Sequence, residues 1–426
     1  MQATDSKEKK NSGGGPEAGG KLRASVDPDG RIVLPSEIAS RYGLRPGTEL
    51  WVGEMGDGLR LSLPASYLAK VYVEPTNRCN LECRTCMRNE WSEPLGQMEE
   101  STFSRILESL RFFSPLPTVF LGGFGEPLVH PRIIEMVADL KRLGSPVELI
   151  TNGTLLNRQM SKNLIEAGLD RLWVSLDGAR PESYADVRLG AALPEIIHHL
   201  TEFRDLCILY PSRPQLGVVF VAMKRNIADL PDVLSLGTQL GVQRFLVTHV
   251  LPYTAEMRYE ILYSRALGDF VYGATLELPK LDMNEETREP VCRALRSGKN
   301  VIFAGGRPGG NSDSCPFIES GSTSVGWDGN LSPCLALLHS HTNYLDGRER
   351  FSRKYVVGNV RETDLQVLWN QPDYLALRER VKIFDFAPCS LCGGCHLAEK
   401  NEEDCFGNPF PTCGGCLWAQ GVIRCP

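Results

Sequence analysis

The chain has 426 residues, 42% of them hydrophobic, with 46 Lys and Arg against 52 Asp and Glu, a formal net charge of −6 at pH 7. That length predicts two to four domains of roughly 100–200 residues each, and the acidic balance argues against a whole-protein electrostatic match to nucleic acid or to an anionic membrane. Fourteen cysteines in clustered spacings point to metal rather than disulfides, because the cytosol keeps thiols reduced.

Residues 1–20, "MQATDSKEKKNSGGGPEAGG", have almost nothing to bury and are expected to form a disordered leader. They lack the apolar core of a signal peptide, and no later segment reaches the roughly 18 uninterrupted apolar residues of a membrane span. A soluble, cytoplasmic protein with no membrane partner is expected. Residues 21–64 alternate in short strand-like runs with turn pairs Asp29-Gly30 and Asp57-Gly58 and a brief helical stretch after Pro35. Their "GRIVLP" and "GLRPG" elements resemble the AbrB/SpoVT swapped-hairpin family, which implies dimerisation and DNA contact. Arginines are mixed here with aspartates and glutamates, so a homodimer or a docked partner is favoured over DNA.

From 65 to 255 the pattern becomes strand and helix in alternation. The strand-like runs are "KVYVEP", "PTVFLGG", "PVELITNG", "RLWVSLDG", "QLGVVFVAM" and "RFLVTHV", with helical segments such as Met98–Phe113 and Pro131–Leu143 between them. Repeated βα units predict an α/β fold with a parallel sheet, and six strands fit a partial (β/α)6 barrel. Residues 256–300 are polar with little periodicity and are read as a bridge. Residues 301–426 are rich in Gly, Pro and Cys and need metal staples to fold.

Directly after the first barrel strand, "EPTNRCNLECRTCMRNEW" places Cys79, Cys83 and Cys86 in a C-x3-C-x2-C spacing. A cubane iron–sulfur cluster takes four thiolates, so three from one loop leave one iron open to a small molecule. A zinc knuckle short of one ligand is the alternative. The spacing resembles the radical S-adenosylmethionine (SAM) superfamily, with one departure: Thr85 stands where many members carry an aromatic residue.

The resemblance implies a SAM-binding 4Fe-4S cluster and reductive cleavage of SAM to a 5′-deoxyadenosyl radical. By the same resemblance Gly122, Gly123 and Glu126 of "GGFGEPL" meet the methionine end, with Glu126 as the amine-binding acid. Ser175 and Asp177 of "SLDG" suit the ribose, Arg188 the methionine carboxylate, and Asn152 of "TNG" is a further site-facing residue. Each is equally a turn or cap residue when taken alone.

Ten cysteines follow residue 286: Cys292, Cys315, Cys334, Cys389, Cys392, Cys395, Cys405, Cys413, Cys416 and Cys425. Two fully thiolate-ligated four-iron clusters need eight. "CPFIESGSTSVGWDGNLSPC" resembles the opening of the SPASM domain, the auxiliary-cluster extension of peptide- and protein-modifying radical SAM enzymes. Its "VGWDGNLSPC" reads as strand, tight turn and strand ending in a ligand. The later cysteines depart from the usual block, with Cys-Gly-Gly-Cys occurring twice, and spacing leaves open which eight ligate. One arrangement joins Cys315 and Cys334 with Cys292 or a tail cysteine for one cluster, and Cys389, Cys392, Cys395 or Cys405 with another for the second; a zinc ribbon built from the C-x2-C pairs is the alternative. Cys207, in "FRDLCILY", reads as a buried structural thiol.

The whole pattern, with "NEEDCFGNPFPTCGGCLWAQGVIRCP" at its end, resembles radical SAM maturases associated with tungsten-cofactor oxidoreductases of the aldehyde ferredoxin oxidoreductase type. It implies three 4Fe-4S clusters, SAM, a protein or peptide substrate such as a tungsten oxidoreductase, and an external electron donor of the ferredoxin or flavodoxin type. A SPASM maturase of a ribosomal peptide and a DNA-binding iron–sulfur redox sensor are the competing readings.

Overall fold

The computed structural model describes residues 23–41, 44, 50–55, 58–211, 213–263, 281–304, 315–345, 348–390 and 395–426. The chain forms two compact units, Met1–Thr48 and Glu49–Pro426. In the first, β1 (Ser25–Val26) pairs antiparallel with β2 (Ile32–Val33), and a helix covers Ser36–Arg41. Their turn forms where Asp29-Gly30 predicts one: Asp27 Oδ1 accepts the Asp29 and Arg31 N–H groups, and Gly30 sits at φ +80°. Most of "GLRPG" lies outside the described residues.

The second unit opens with an antiparallel hairpin, β3 (Trp51–Met55) with β4 (Gly58–Ser62). The six runs that follow lack polar alternation because they are strands covered on both faces. They form β5 (Lys70–Val73), β6 (Thr118–Leu121), β7 (Val147–Thr151), β8 (Arg171–Ser175), β9 (Gln215–Ala222) and β10 (Arg244–His249), parallel and neighbouring in sequence order. Helices Glu100–Leu110, Ile133–Leu143, Arg158–Glu166, Leu193–Leu209 and Leu230–Gln239 connect them. The helix Ile133–Leu143 ends at Gly144, whose φ of +99° is a left-handed cap that a side chain rarely adopts. Val71, Val119, Leu149, Val174 and Val218 are fully buried in this sheet. Cys207 is buried in the same core, and burial pushes its thiol up to about 11.

The expected bridge carries regular structure. Helix Arg288–Arg296 packs on Leu230–Gln239, and just beyond the bridge β11 (Val301–Phe303) pairs parallel with β10, Phe245 opposite Val301. Only Pro290, Val291 and Ala294 are buried on that helix, too few to show a period in the sequence.

At the other edge β12 (Ser322–Val325) pairs parallel with β5, and β13 (Asn330–Ser332) and β16 (Gly358–Asn359) follow antiparallel. The cysteine-rich region thus continues the sheet, in the order β11-β10-β9-β8-β7-β6-β5-β12-β13-β16. A separate hairpin, β14 (His341–Leu345) with β15 (Arg348–Ser352), leads to helices Leu365–Trp369 and Pro372–Ile383. No helix among the described residues is long and apolar enough to cross a membrane.

Candidate functional site

Parallel strands carry their connecting loops out at one common edge, which is where such folds place their sites. The C-x3-C-x2-C loop leaves β5 there and is stapled on both sides. Glu82 and Arg84 donate their N–H groups to Leu189 O and Val187 O, at 3.3 and 3.0 Å, and Thr76 Oγ1 donates to Gly96 O at 2.6 Å. Cys79 Sγ accepts the Leu81 N–H at 3.4 Å and Asn152 Nδ2 at 3.8 Å, while Cys83 Sγ accepts Arg188 Nη1 at 3.7 Å.

Burial pushes the thiols of Cys79 and Cys86 up, and the neighbouring thiols add to it. Arg88 opposes this at both, yet its Nε and Nη1 are buried without a hydrogen-bond partner among the described residues. Three neighbouring thiols beside a cation with two unpartnered nitrogens suit an anionic thiolate cluster, which would supply a counter-charge to Arg88.

The predicted SAM-facing residues come together at this edge, although several already hold one another. Glu126 is buried and accepts three donors: Leu128 N–H at 3.0 Å, Thr151 Oγ1 at 2.8 Å and Asn152 N–H at 2.7 Å. Burial outweighs these bonds and raises its carboxyl to about 6.

Asp177 accepts Val221 N–H at 2.7 Å with one oxygen and pairs with Arg188 Nε and Nη2 at 2.7 and 2.6 Å with the other. Both oxygens are therefore engaged, in a side chain with no exposure. Burial works against the Arg188 charge, but Asp177 and Cys83 more than offset it and hold the guanidinium protonated. The pair reaches the three-cysteine loop through the contact of Arg188 with Cys83. Ser175 is buried at the end of β8.

The glycines of "GGFGE" have a packing reason. A Cβ on Gly123 would stand 2.6 Å from Glu74 Cγ, and one on Gly125 would stand 2.2 Å from Thr76 O. The two loops pass too closely for any side chain, so the motif welds the second loop to the first; a Cβ on Gly122 would likewise lie 2.4 Å from Ile150 Cγ2.

Four tail-region cysteines surround a second locus. Cys315, Cys334, Cys413 and Cys416 line one cavity, with His341, Asn343 and Arg350 also on its wall. Burial raises the Cys315 thiol to about 12, and it raises Cys334, Cys413 and Cys416 as well; the first three also feel one another's charge or that of Cys416. Buried thiols that oppose one another's ionisation need a cationic core to become thiolates, which matches iron. The second Cys-Gly-Gly-Cys owes its glycines to crowding: a Cβ on Gly414 would lie 1.7 Å from Ala387 O, and one on Gly415 would lie 2.3 Å from Arg350 Nη1.

Cys389 lies within electrostatic reach of Cys395, Cys405 and Arg350; Cys392 is outside the described residues. Arg350 interacts with Cys413, Cys416 and Cys389, so one buried cation adjoins both groups. Cys292 lies on helix Arg288–Arg296, and Cys425 is half-buried beside Lys70 and Trp418.

Sequence reasoning does not single out Glu74, Arg88, His339 or Arg350. Glu74 was visible as the residue closing "KVYVE", but its partner His339 lies 265 positions away.

Residues 73–208 match the model of the radical SAM superfamily, and residues 315–396 match that of the iron–sulfur cluster-binding SPASM domain. The tungsten-containing aldehyde ferredoxin oxidoreductase cofactor-modifying protein of Pyrococcus furiosus is 32% identical over 84% of this chain and 96% of its own. Among solved structures, Streptococcus suis SuiB bound to precursor peptide SuiA covers 79% of this chain and 73% of its own at 16% identity, TM-score 0.54. Native anSMEcpe with bound AdoMet covers 78% and 88% at 15% identity, TM-score 0.53. Both share the fold. The C-x3-C-x2-C loop at the sheet edge, the cysteine-lined cavity and a match along nearly the whole of a relative converge: this chain belongs to the radical SAM superfamily, as a SPASM-bearing enzyme of the group that contains the tungsten-enzyme cofactor-modifying protein.

Proposed function

We propose that this enzyme is a maturase that modifies a tungsten-containing aldehyde ferredoxin oxidoreductase-type enzyme or its cofactor. The observation that carries the reading is the match to the Pyrococcus furiosus protein over 84% of this chain and 96% of that protein. When bound to a reduced cluster, SAM supplies a 5′-deoxyadenosyl radical able to take an unactivated hydrogen atom.

The chain's own residues bind and orient. Cys79, Cys83 and Cys86 hold the first cluster, and Arg88 and Arg188 offset its charge. Gly122, Gly123, Glu126 and Asn152 flank the methionine end of SAM, and Ser175 lies beside them. Cys315, Cys334, Cys413 and Cys416 hold one auxiliary 4Fe-4S cluster, the arrangement that their shared cavity supports. Cys389, Cys392, Cys395 and Cys405 hold the second, which leaves Cys292 and Cys425 outside the ligand set and makes three clusters in all. An external ferredoxin or flavodoxin-type donor supplies electrons, and the N-terminal unit serves dimerisation or docking.

The test is anaerobic reconstitution with iron and SAM, then reduction in the presence of an unmodified tungsten oxidoreductase. Expected are about twelve irons per chain, 5′-deoxyadenosine, and a mass change on the oxidoreductase or its cofactor. Turnover driven by a short ribosomal peptide, with no change in the oxidoreductase, would move the substrate to the peptide class.

A further inference from the structure

Behind the "GGFGE" loop, charged groups from three segments of the chain meet around the buried Glu74 and His339. Glu74, at the end of β5, has no exposure and accepts the Phe124 N–H with Oε1 at 3.0 Å. Its Oε2 faces His339 Nε2 at 2.9 Å. The other ring nitrogen, Nδ1, faces Glu93 Oε2 at 2.8 Å, and Glu93 Oε1 takes the Ser340 N–H and Lys354 Nζ, both at 3.1 Å. A carboxylate on each nitrogen requires both to be donors, so the ring is an imidazolium. Burial opposes that charge, but Glu74 and Glu93 together raise His339 to about 9. The rings of Trp91 and Phe124 stand 4.3 and 5.7 Å from it.

The same short segment reaches the auxiliary cavity. Cys334 lies five residues before His339, and His341 and Asn343 follow it; all three line the cavity. On the other side, Glu74 is packed so tightly against Gly123 that a Cβ there would stand 2.6 Å from its Oε1. A movement of Glu74 therefore moves the loop.

We propose that His339 is a positioning residue through which the cysteine-rich region sets the "GGFGE" loop, so that SAM affinity at the first site depends on whether the Cys315–Cys334–Cys413–Cys416 cavity holds its cluster. This rests on the reading of that loop as the SAM site. Without the imidazolium, Glu74 is a buried carboxylate facing a second carboxylate with no cation between them. It must then turn toward water, which loosens the Phe124 N–H.

SAM binding to the reconstituted, iron-loaded enzyme tests it by equilibrium dialysis. His339→Gln should weaken SAM binding by roughly tenfold or more while iron content is kept. Adding Glu74→Gln should restore most of the loss, because two amides can hydrogen-bond without a lone charge. Cys413→Ala/Cys416→Ala should also weaken SAM binding, and adding His339→Gln to it should weaken binding no further. Cys86→Ala separates the two readings: wild-type SAM affinity there removes the site assignment itself. Loss of SAM binding in Cys86→Ala together with wild-type affinity in His339→Gln overturns the coupling.

The pH profile is a second readout that stands even where His339→Gln fails to fold. The charged and titratable groups facing the ring are Glu74, Glu93 with its Lys354, and His341. Wild-type SAM affinity should fall as pH rises through about 9, and the Glu74→Gln/His339→Gln enzyme should lack that fall. Identical profiles overturn the proposal.

Discussion

Replacing Cys413 and Cys416 together by alanine removes two of the four thiols around the auxiliary cavity. A cubane takes four thiolates, so two remaining ligands cannot retain it, and iron should fall from about twelve to about eight per chain. The first site has its own loop and should keep its share. Cys292→Ala is the counterpart: its helix packs on Leu230–Gln239, so iron should remain at about twelve. Cys425→Ala should behave like Cys292→Ala, since the Cys425 thiol borders Lys70 and Trp418 and is not part of the cavity wall. Iron and sulfide are counted after anaerobic reconstitution, with unfolding monitored alongside to exclude global collapse. Full iron in Cys413→Ala/Cys416→Ala, or the loss of about four irons in Cys292→Ala, would refute the ligand assignment.

Asp177→Asn leaves the Arg188 guanidinium buried without its carboxylate, so urea unfolding at pH 7 should show a loss of about 3–5 kcal/mol; a loss under about 1 kcal/mol would mean that the pair carries little. Glu126 titrates near 6, above its ordinary 4.5. Its protonated form is thus favoured by folding, a stabilisation present below 4.5 and lost as pH rises through 6. Binding a cationic amine needs the carboxylate, so SAM affinity should drop about tenfold per pH unit below 6; equal affinity at pH 5 and pH 7 sinks that role. Gly125→Ala drives a Cβ to 2.2 Å from Thr76 O and 2.6 Å from Arg78 O, both backbone atoms. It should cost about 1–3 kcal/mol or more and release the first-site iron; a stable variant with full iron would show that the two loops have room to part.

Local chemistry was legible along the chain. Six continuous apolar runs became the six parallel strands, and Asp29-Gly30 and "VGWDGNLSPC" became the turns their residues demand, since turn type and strand burial depend on near neighbours. Helix Arg288–Arg296 and the three-residue β11 were not legible, because so few of their side chains face the core. Nor was the salt bridge between Asp177 and Arg188, since the two lie on different segments of the β8 connection.

The sequence by itself determined the α/β class, the three-cysteine loop behind the first barrel strand and a cysteine count sufficient for two further clusters. Only the tertiary structure decided which thiols share a cavity. Cys334 and Cys413 are separated by a hairpin, strand β16 and two α-helices among other elements, and spacing alone carries no information about contacts closed over such distances. The same reason hides Glu74 and His339, joined by nothing along the chain and by 2.9 Å across the sheet edge.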